Sequence, residues 1–160
     1  MYFANSLALS IKYKLTGGGQ TILFIHGAYI NYEIWERQVP FFEKNYQVLT
    51  VLLPSHGGAP SLPLDEYRVD DFTDEVIRLL DHLGIAQCVP VGLSLGSMIA
   101  QNLAARFPQR VYGIVLLGNV ASMRLTLLER TVTAVLFPKW LAHLRIEVRQ
   151  CVTCINHHVG

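Results

Sequence analysis

Apolar residues along this chain fall in short unbroken runs, and between the runs they recur at helical spacing. Thr21-Ile22-Leu23-Phe24-Ile25 is a run of the first kind, and so is Gln47-Val48-Leu49-Thr50-Val51-Leu52-Leu53, which ends at Pro54. A strand covered on both faces has no polar side to show, so such runs predict the centre of a parallel sheet. Leu7-Ala8-Leu9-Ser10-Ile11-Lys12-Tyr13 alternates instead, which predicts an antiparallel strand with one wet face; Gly17-Gly18-Gly19 predicts a turn. A helix is expected from Tyr32 to Phe42 with Asn31 as its cap, and a loop rich in Gly, Pro and Ser from Pro54 to Pro63. The next helix carries Phe72, Val76, Leu79, Leu80 and Leu83 on one face. Asp70, Asp71, Asp74 and Glu75 load its first turns, and Gly84 stops it.

Cys88-Val89-Pro90-Val91 predicts another buried strand. A helix whose stripe is Ile99, Ala100, Leu103, Ala104 and Phe107 follows, ended by Pro108, and Val111 to Leu117 predicts a last strand. Strands alternating with helices imply the α/β class, with a doubly wound, mostly parallel sheet. Ligands on such sheets bind at the carboxyl ends of strands, near the point where the winding reverses. Ser94 and His26-Gly27-Ala28 both fall at such ends. After Asn119 no strand pattern resumes. Leu125, Leu127, Leu128, Val132, Val135, Leu136, Trp140, Leu141 and Leu144 sit at helical spacings interrupted at Pro138, as expected of one or two apolar helices lying over something.

The five residues Gly92-Leu93-Ser94-Leu95-Gly96 join the strand at 88–91 to the helix that follows. A Gly-x-Ser-x-Gly between a buried strand and a helix is the pattern of a nucleophile elbow. The turn is tight enough to force Ser94 into a strained conformation, and its neighbours two away on each side must be small, hence Gly92 and Gly96. The strain pushes the hydroxyl out above the sheet.

Composition narrows the rest. The chain has 160 residues, one domain's worth, and is 51% hydrophobic with a net charge of +1. That balance argues against nucleic acid or an anionic membrane as partner. No apolar stretch reaches the ~18–20 residues that span a bilayer, and the first residues lack the form of a secretory signal, so a cytoplasmic location is expected. Three cysteines suit free thiols, and Cys88 is expected to behave as a small buried hydrophobe. Cys151 and Cys154 followed by His157 and His158 look like a metal half-site, but no second pair stands at a suitable spacing. No metal and no organic cofactor are expected.

With these motifs in this order, the chain resembles the α/β-hydrolase family. The resemblance rests on Phe24-Ile25-His26-Gly27-Ala28, on Pro54-Ser55-His56-Gly57, on the elbow, and on Phe107-Pro108-Gln109-Arg110-Val111 leading into Ile114-Val115-Leu116-Leu117. It runs over roughly residues 7 to 122. It implies Ser94 as nucleophile, with the backbone N–H groups of Leu95 and Ala28 as the oxyanion hole. Two fixed donors stabilise the charge that attack puts on a carbonyl oxygen, typically by about 3–4 kcal/mol each. His26 is expected to brace its loop. In the family's count Val111–Leu117 is the sixth strand, a helical cap often follows it, and two more strands close the sheet. One departure is visible: Leu52 takes a position usually held by aspartate, Ser55 replaces a glycine, and Ala59 falls near the family's serine. The change bears on loop shape.

A serine hydroxyl needs a base, itself oriented by an acid, and in this fold the order is Ser, then Asp or Glu, then His. After Ser94 there is no aspartate; the acids are Glu129 and Glu147, and the histidines are His143, His157 and His158. Glu129 and His143 lie in the apolar helical segment. His56 sits in a loop, and His82 closes a helix. Acid and base are therefore expected to be absent. The expectation is the first part of a serine hydrolase of small esters, lactones or related acyl compounds, truncated within its cap and alone inactive or weakly active. Residues 1–120 would be the core and 121–160 the incomplete start of the cap. The alternatives are an inactive fragment or ligand-binding module, and an acyltransferase or cofactor-free perhydrolase. Expected partners are a small acyl substrate and either a separately encoded C-terminal half or a second copy pairing along the sixth strand.

Overall fold

In a computed structural model of the protein, residues 11–57 and 68–118 are described. β1 (Lys12–Thr16) is followed by the turn at Gly17–Gly19 and by β2 (Thr21–Ile25), all five residues of which are buried. A 3-10 turn at Tyr32–Trp35 and a short α1 (Val39–Phe42) lead into β3 (Gln47–Leu52). Then come α2 (Val69–His82), β4 (Cys88–Leu93), α3 (Leu95–Arg106) and β5 (Val115–Leu117). The strand order is β1-β3-β2-β4-β5, parallel except for β1, which runs antiparallel to β3. This is the mixed α/β sheet that the sequence pattern predicts.

From β2 the chain moves one way to β3, then crosses back over β2 to β4. Right-handed crossovers moving in opposite directions put their helices on opposite faces, and the cores divide accordingly. Leu23 and Ile25 of β2 pack with Leu49, Val51 and the stripes of α2 and α3. Ile22 and Phe24, which point the other way, pack with Trp35, Val39 and Val48. Each fully buried aliphatic side chain contributes about 1.5–3 kcal/mol, so the alternation within β2 ties both layers to one strand.

Local signals account for most boundaries. Asn31 caps the 3-10 turn, its side chain accepting the Glu33 N–H at 2.8 Å. α2 ends in a Schellman motif at Gly84 (φ 66°): Gly84 N–H bonds Asp81 O and Ile85 N–H bonds Leu80 O. Three expectations need correction. The helix expected over Tyr32–Phe42 is two short pieces, because Pro40 cannot donate to Glu36 O and its ring crowds that turn. The last strand is only Val115–Leu117, with a single bridge joining Val111 to Cys88 before the chain turns at Tyr112-Gly113. The first strand runs Lys12–Thr16 rather than Leu7–Tyr13; residues 7–10 lie outside the described residues. So do Ala59, the cap expected at 121–160, its helical stripe, and the cysteines and histidines near the end. Among the described residues, no helix is long and apolar enough to cross a membrane.

Candidate active site

The carboxyl ends of β2 and β4 are neighbours, in register as far as Ile25 and Gly92, where the winding of the sheet reverses. Two loops leave from this point, His26-Gly27-Ala28 and Leu93-Ser94-Leu95.

Ser94 sits at φ 52°, ψ −111°, a conformation that L residues avoid, at the corner between β4 and α3. It is solvent-exposed, and its side chain makes no capping bond to the helix it precedes. The backbone around it is held hard: Ser94 N–H donates to Leu117 O at 2.9 Å, and Ser94 O accepts from Ser97 N–H at 2.9 Å. A Cβ at Gly92 would overlap Gly96 O and stand 2.5 Å from Ser97 N. One at Gly96 would overlap Ile25 O and stand 2.9 Å from His26 O. Both glycines are required because α3 starts where β2 and β4 leave no room for a side chain.

Leu95 is the first residue of α3, and the first N–H groups of a helix have no intrahelical acceptor. The positive end of a 12-residue helix therefore starts at Ser94. The β2 exit loop meets this corner directly, since a Cβ at Gly27 would be 3.4 Å from Ser94 Cβ. Ala28 follows, half-buried, and Tyr29 then adopts φ 64°, an uncommon left-handed conformation for a residue with a side chain. The structure thus brings Ser94, Leu95 and the Gly27-Ala28 loop to one place, and the elbow glycines beneath it.

His26 holds that loop in position. Its ring is fully buried, Nδ1 donates to Gly27 O at 2.7 Å, and Nε2 accepts the Leu53 N–H at 3.1 Å. The imidazole therefore pins the β2 exit to the β3 exit. Burial, with a smaller contribution from the His56 ring 5.2 Å away, lowers its pKa to about 4. A neutral histidine with both nitrogens on backbone groups braces a loop and cannot take a proton from Ser94. His56 is also buried, with Nδ1 on Pro54 O at 2.8 Å, and burial lowers its pKa too. His82 ends α2 ahead of the amino end of β4, at the opposite margin of the sheet from Ser94. None of the three histidines among the described residues has the surroundings of a base for Ser94.

The third loop at this edge shows what the departure at 52–55 does. Ser55 keeps φ 62° although it has a side chain, and Leu52 is buried against Gly57, whose Cβ would lie 2.9 Å from Leu52 Cδ1 and 2.8 Å from Asn31 Cβ. An apolar contact fills the place of the usual carboxylate. The motif reading missed Ser97, whose buried hydroxyl lies 2.7 Å from Gly92 O and 2.9 Å from Leu117 O. A serine in an apolar helical stripe was the available signal. Cys88 is buried, and burial pushes its thiol up to about 12.

A groove of about 450 Å³ lies elsewhere, along the sheet face lined by Phe24, Trp35, Phe42, Val91, Val115 and Leu117. Its lining reaches back to Gln20 and Val89, so it belongs to the flank of the sheet and not to the Ser94 corner.

Known proteins are similar to this chain in sequence and fold. A sequence profile described as the alpha/beta hydrolase fold matches residues 20–153. The chain is 36% identical over 101 residues to 3-oxoadipate enol-lactonase 2 of Acinetobacter baylyi, which covers 63% of this chain and 37% of that protein. It is 30% identical over 104 residues to (E)-2-((N-methylformamido)methylene)succinate hydrolase of the same organism, 65% of this chain and 39% of that one. Among solved structures, Est816, an N-acyl homoserine lactone degrading enzyme, superposes with a TM-score of 0.65 at 32% identity, over 72% of this chain and 44% of its own. The chain spans about two-fifths of the length of the curated relatives it matches. Sheet order, strand-to-helix corner and sequence similarity over most of its length agree, and the chain belongs to the α/β-hydrolase fold family.

Proposed function

We propose that this chain carries the nucleophile half of a serine hydrolase acting on small esters, lactones or related acyl compounds. The observation that carries the reading is the exposed Ser94 at φ 52°, packed against the Gly27-Ala28 loop at the start of α3. The relatives named above are a lactonase, a lactone-degrading enzyme and a succinate-derivative hydrolase.

In this reading Ser94 Oγ attacks the acyl carbon while its proton passes to a base. The carbonyl electron pair moves onto oxygen, which faces the Leu95 and Ala28 N–H groups. Collapse of that tetrahedral species breaks the bond to the leaving alkoxide, which takes the proton, and leaves an acyl-Ser94 ester. Water then attacks the ester and releases the acid. The strained corner lets the backbone donors and the hydroxyl converge without reorganisation, which is where most of the rate gain arises. The acid and base come from outside the described residues, in the rest of this polypeptide or on a separate C-terminal partner.

The test is ester hydrolysis by this chain beside a hybrid carrying the C-terminal portion of a full-length relative such as the enol-lactonase, each with a Ser94→Ala control. Only the hybrid should turn over, and Ser94→Ala should remove at least about 1,000-fold of its kcat. Equal turnover by the chain alone would locate a base within it and overturn the division of labour. Because both nitrogens of His26 are occupied, a second reading stands beside this one: a binding module that uses the preformed corner without turnover. A fluorophosphonate that reacts rapidly with Ser94 in the hybrid, and not with its Ser94→Ala control, would exclude it.

A further inference from the structure

We infer that Ser97 is a positioning residue, its hydroxyl clamping the β4–α3 corner onto the end of β5 and so setting the direction of Ser94. The inference rests on the acyl-transfer reading proposed above. Ser97 lies in the first turn of α3 and is wholly buried. A serine within a helix ordinarily turns its hydroxyl to solvent or to the carbonyl four residues back on its own helix. Ser97 instead reaches out of the helix, 2.7 Å from Gly92 O and 2.9 Å from Leu117 O, so that one proton is shared between carbonyls on two adjacent parallel strands. Leu117 O also accepts the Ser94 N–H at 2.9 Å. A single carbonyl therefore receives both the amide of the strained residue and the hydroxyl three residues further on.

That carbonyl needs holding. β5 has only three residues, Leu117 is its last, and Gly118 turns away at φ 59°. A three-residue strand at the margin of the sheet offers little rigidity of its own. A backbone at φ 52°, ψ −111° persists only where its surroundings over-determine it. The Ser94–Leu117 bond is one constraint, and Ser97 makes it effective by fixing Leu117 O to the elbow from the other side. Without the hydroxyl, Leu117 O can swing with β5, and the corner can relax while α3 and the core stay as they are. Displacing a reacting atom by about 1 Å costs on the order of 100-fold in rate.

The test compares wild type with Ser97→Ala by two readouts: amide hydrogen exchange at Ser94 relative to Leu103 in the full chain, and the saturating rate of Ser94 labelling by a fluorophosphonate in the hybrid described above. The Ser94 amide should exchange at least about tenfold faster relative to Leu103. Labelling should slow about 10- to 100-fold while the half-saturating probe concentration stays within about twofold, a split that simple loss of stability would not produce. A folded Ser97→Ala variant with wild-type exchange overturns the inference. So does one with a loosened amide but unchanged labelling, since the tie would then be structural only. If Ser97→Ala does not fold, Ser97→Cys, close in size but with a weak donor, should show intermediate losses in both readouts, and wild-type values there overturn it equally. Failure of the wild-type hybrid to label at all would sink the acyl-transfer reading instead, and the Ser94 amide would still decide whether the clamp exists.

Discussion

At position 96 a single methyl group decides whether the corner can form. A Cβ there would overlap the carbonyl of Ile25, which is backbone in the most buried strand and cannot step aside. Gly96→Ala should therefore cost more than about 3 kcal/mol and send the chain to the insoluble fraction, the range of severe overpacking. Gly113→Ala, where a Cβ would meet nothing within 4 Å, is the matched control and should shift the urea midpoint little. His26 yields a pH dependence of definite sign. Its pKa is lowered from 6.5 to about 4 in the folded chain, so the unfolded chain binds the extra proton. The stability it confers is complete above pH 6.5 and is lost as pH falls toward 4, a loss of about 3 kcal/mol. Urea midpoints should fall over that window, and His26→Gln should lower the midpoint at pH 7.5 but flatten its slope against pH. The places of Gly92, Gly96 and His26 at the strand exits were legible as motif residues. The partners of Ser97 were not, because they are backbone carbonyls, which every residue has.

Among the elements, α2 and the approach to β5 are joined by one side chain. Arg110 donates to Ile85 O and Ala86 O just past α2, and to Asp81 on that helix at 2.7 Å. Its side chain is 17% exposed, and three of its donors are used in a planar fork. Arg110→Ala is expected to lower stability by about 1–2 kcal/mol. Arg110→Lys should recover less than half of that, since an ammonium cannot reach all three acceptors; thermal melts of the two variants provide the measurement. By contrast Arg106, which joins Asp70 and Asp74 of α2 from α3, is an exposed pair and contributes less than about 1 kcal/mol. The boundaries of β2, β3 and α2 followed from runs and caps. The piece between β2 and β3 did not, because its apolar spacing suggested one helix while Pro40 divides it into two.

At the scale of the molecule, the described residues cover the two faces of the sheet unequally. α2 and α3 cover one face. On the other, the 3-10 turn and α1 leave Val115 42% and Leu117 40% exposed, beside the groove of about 450 Å³. Trp35, 4% exposed, lines that groove with its indole N–H unpartnered among the described residues, which is uncommon for a buried donor. A contiguous apolar face of this kind binds hydrophobic dyes and promotes association. The chain should therefore raise anilinonaphthalene sulfonate fluorescence, and Val115→Lys should reduce the signal by at least about half without changing the far-ultraviolet circular dichroism.

The sequence by itself determined the class of fold, the order of the strands along the chain and the identity of the corner at Ser94. Each of these depends on local patterns: unbroken apolar runs, helical spacing and glycines at fixed offsets. Only the tertiary structure decided that β2 and β4 end side by side and that His26 spans two loops through its two ring nitrogens. It also decided that Ser97 shares a carbonyl with Ser94 across twenty residues of chain. Those contacts join backbone atoms far apart in sequence, and backbone atoms carry no residue-specific signature until the sheet has brought them together.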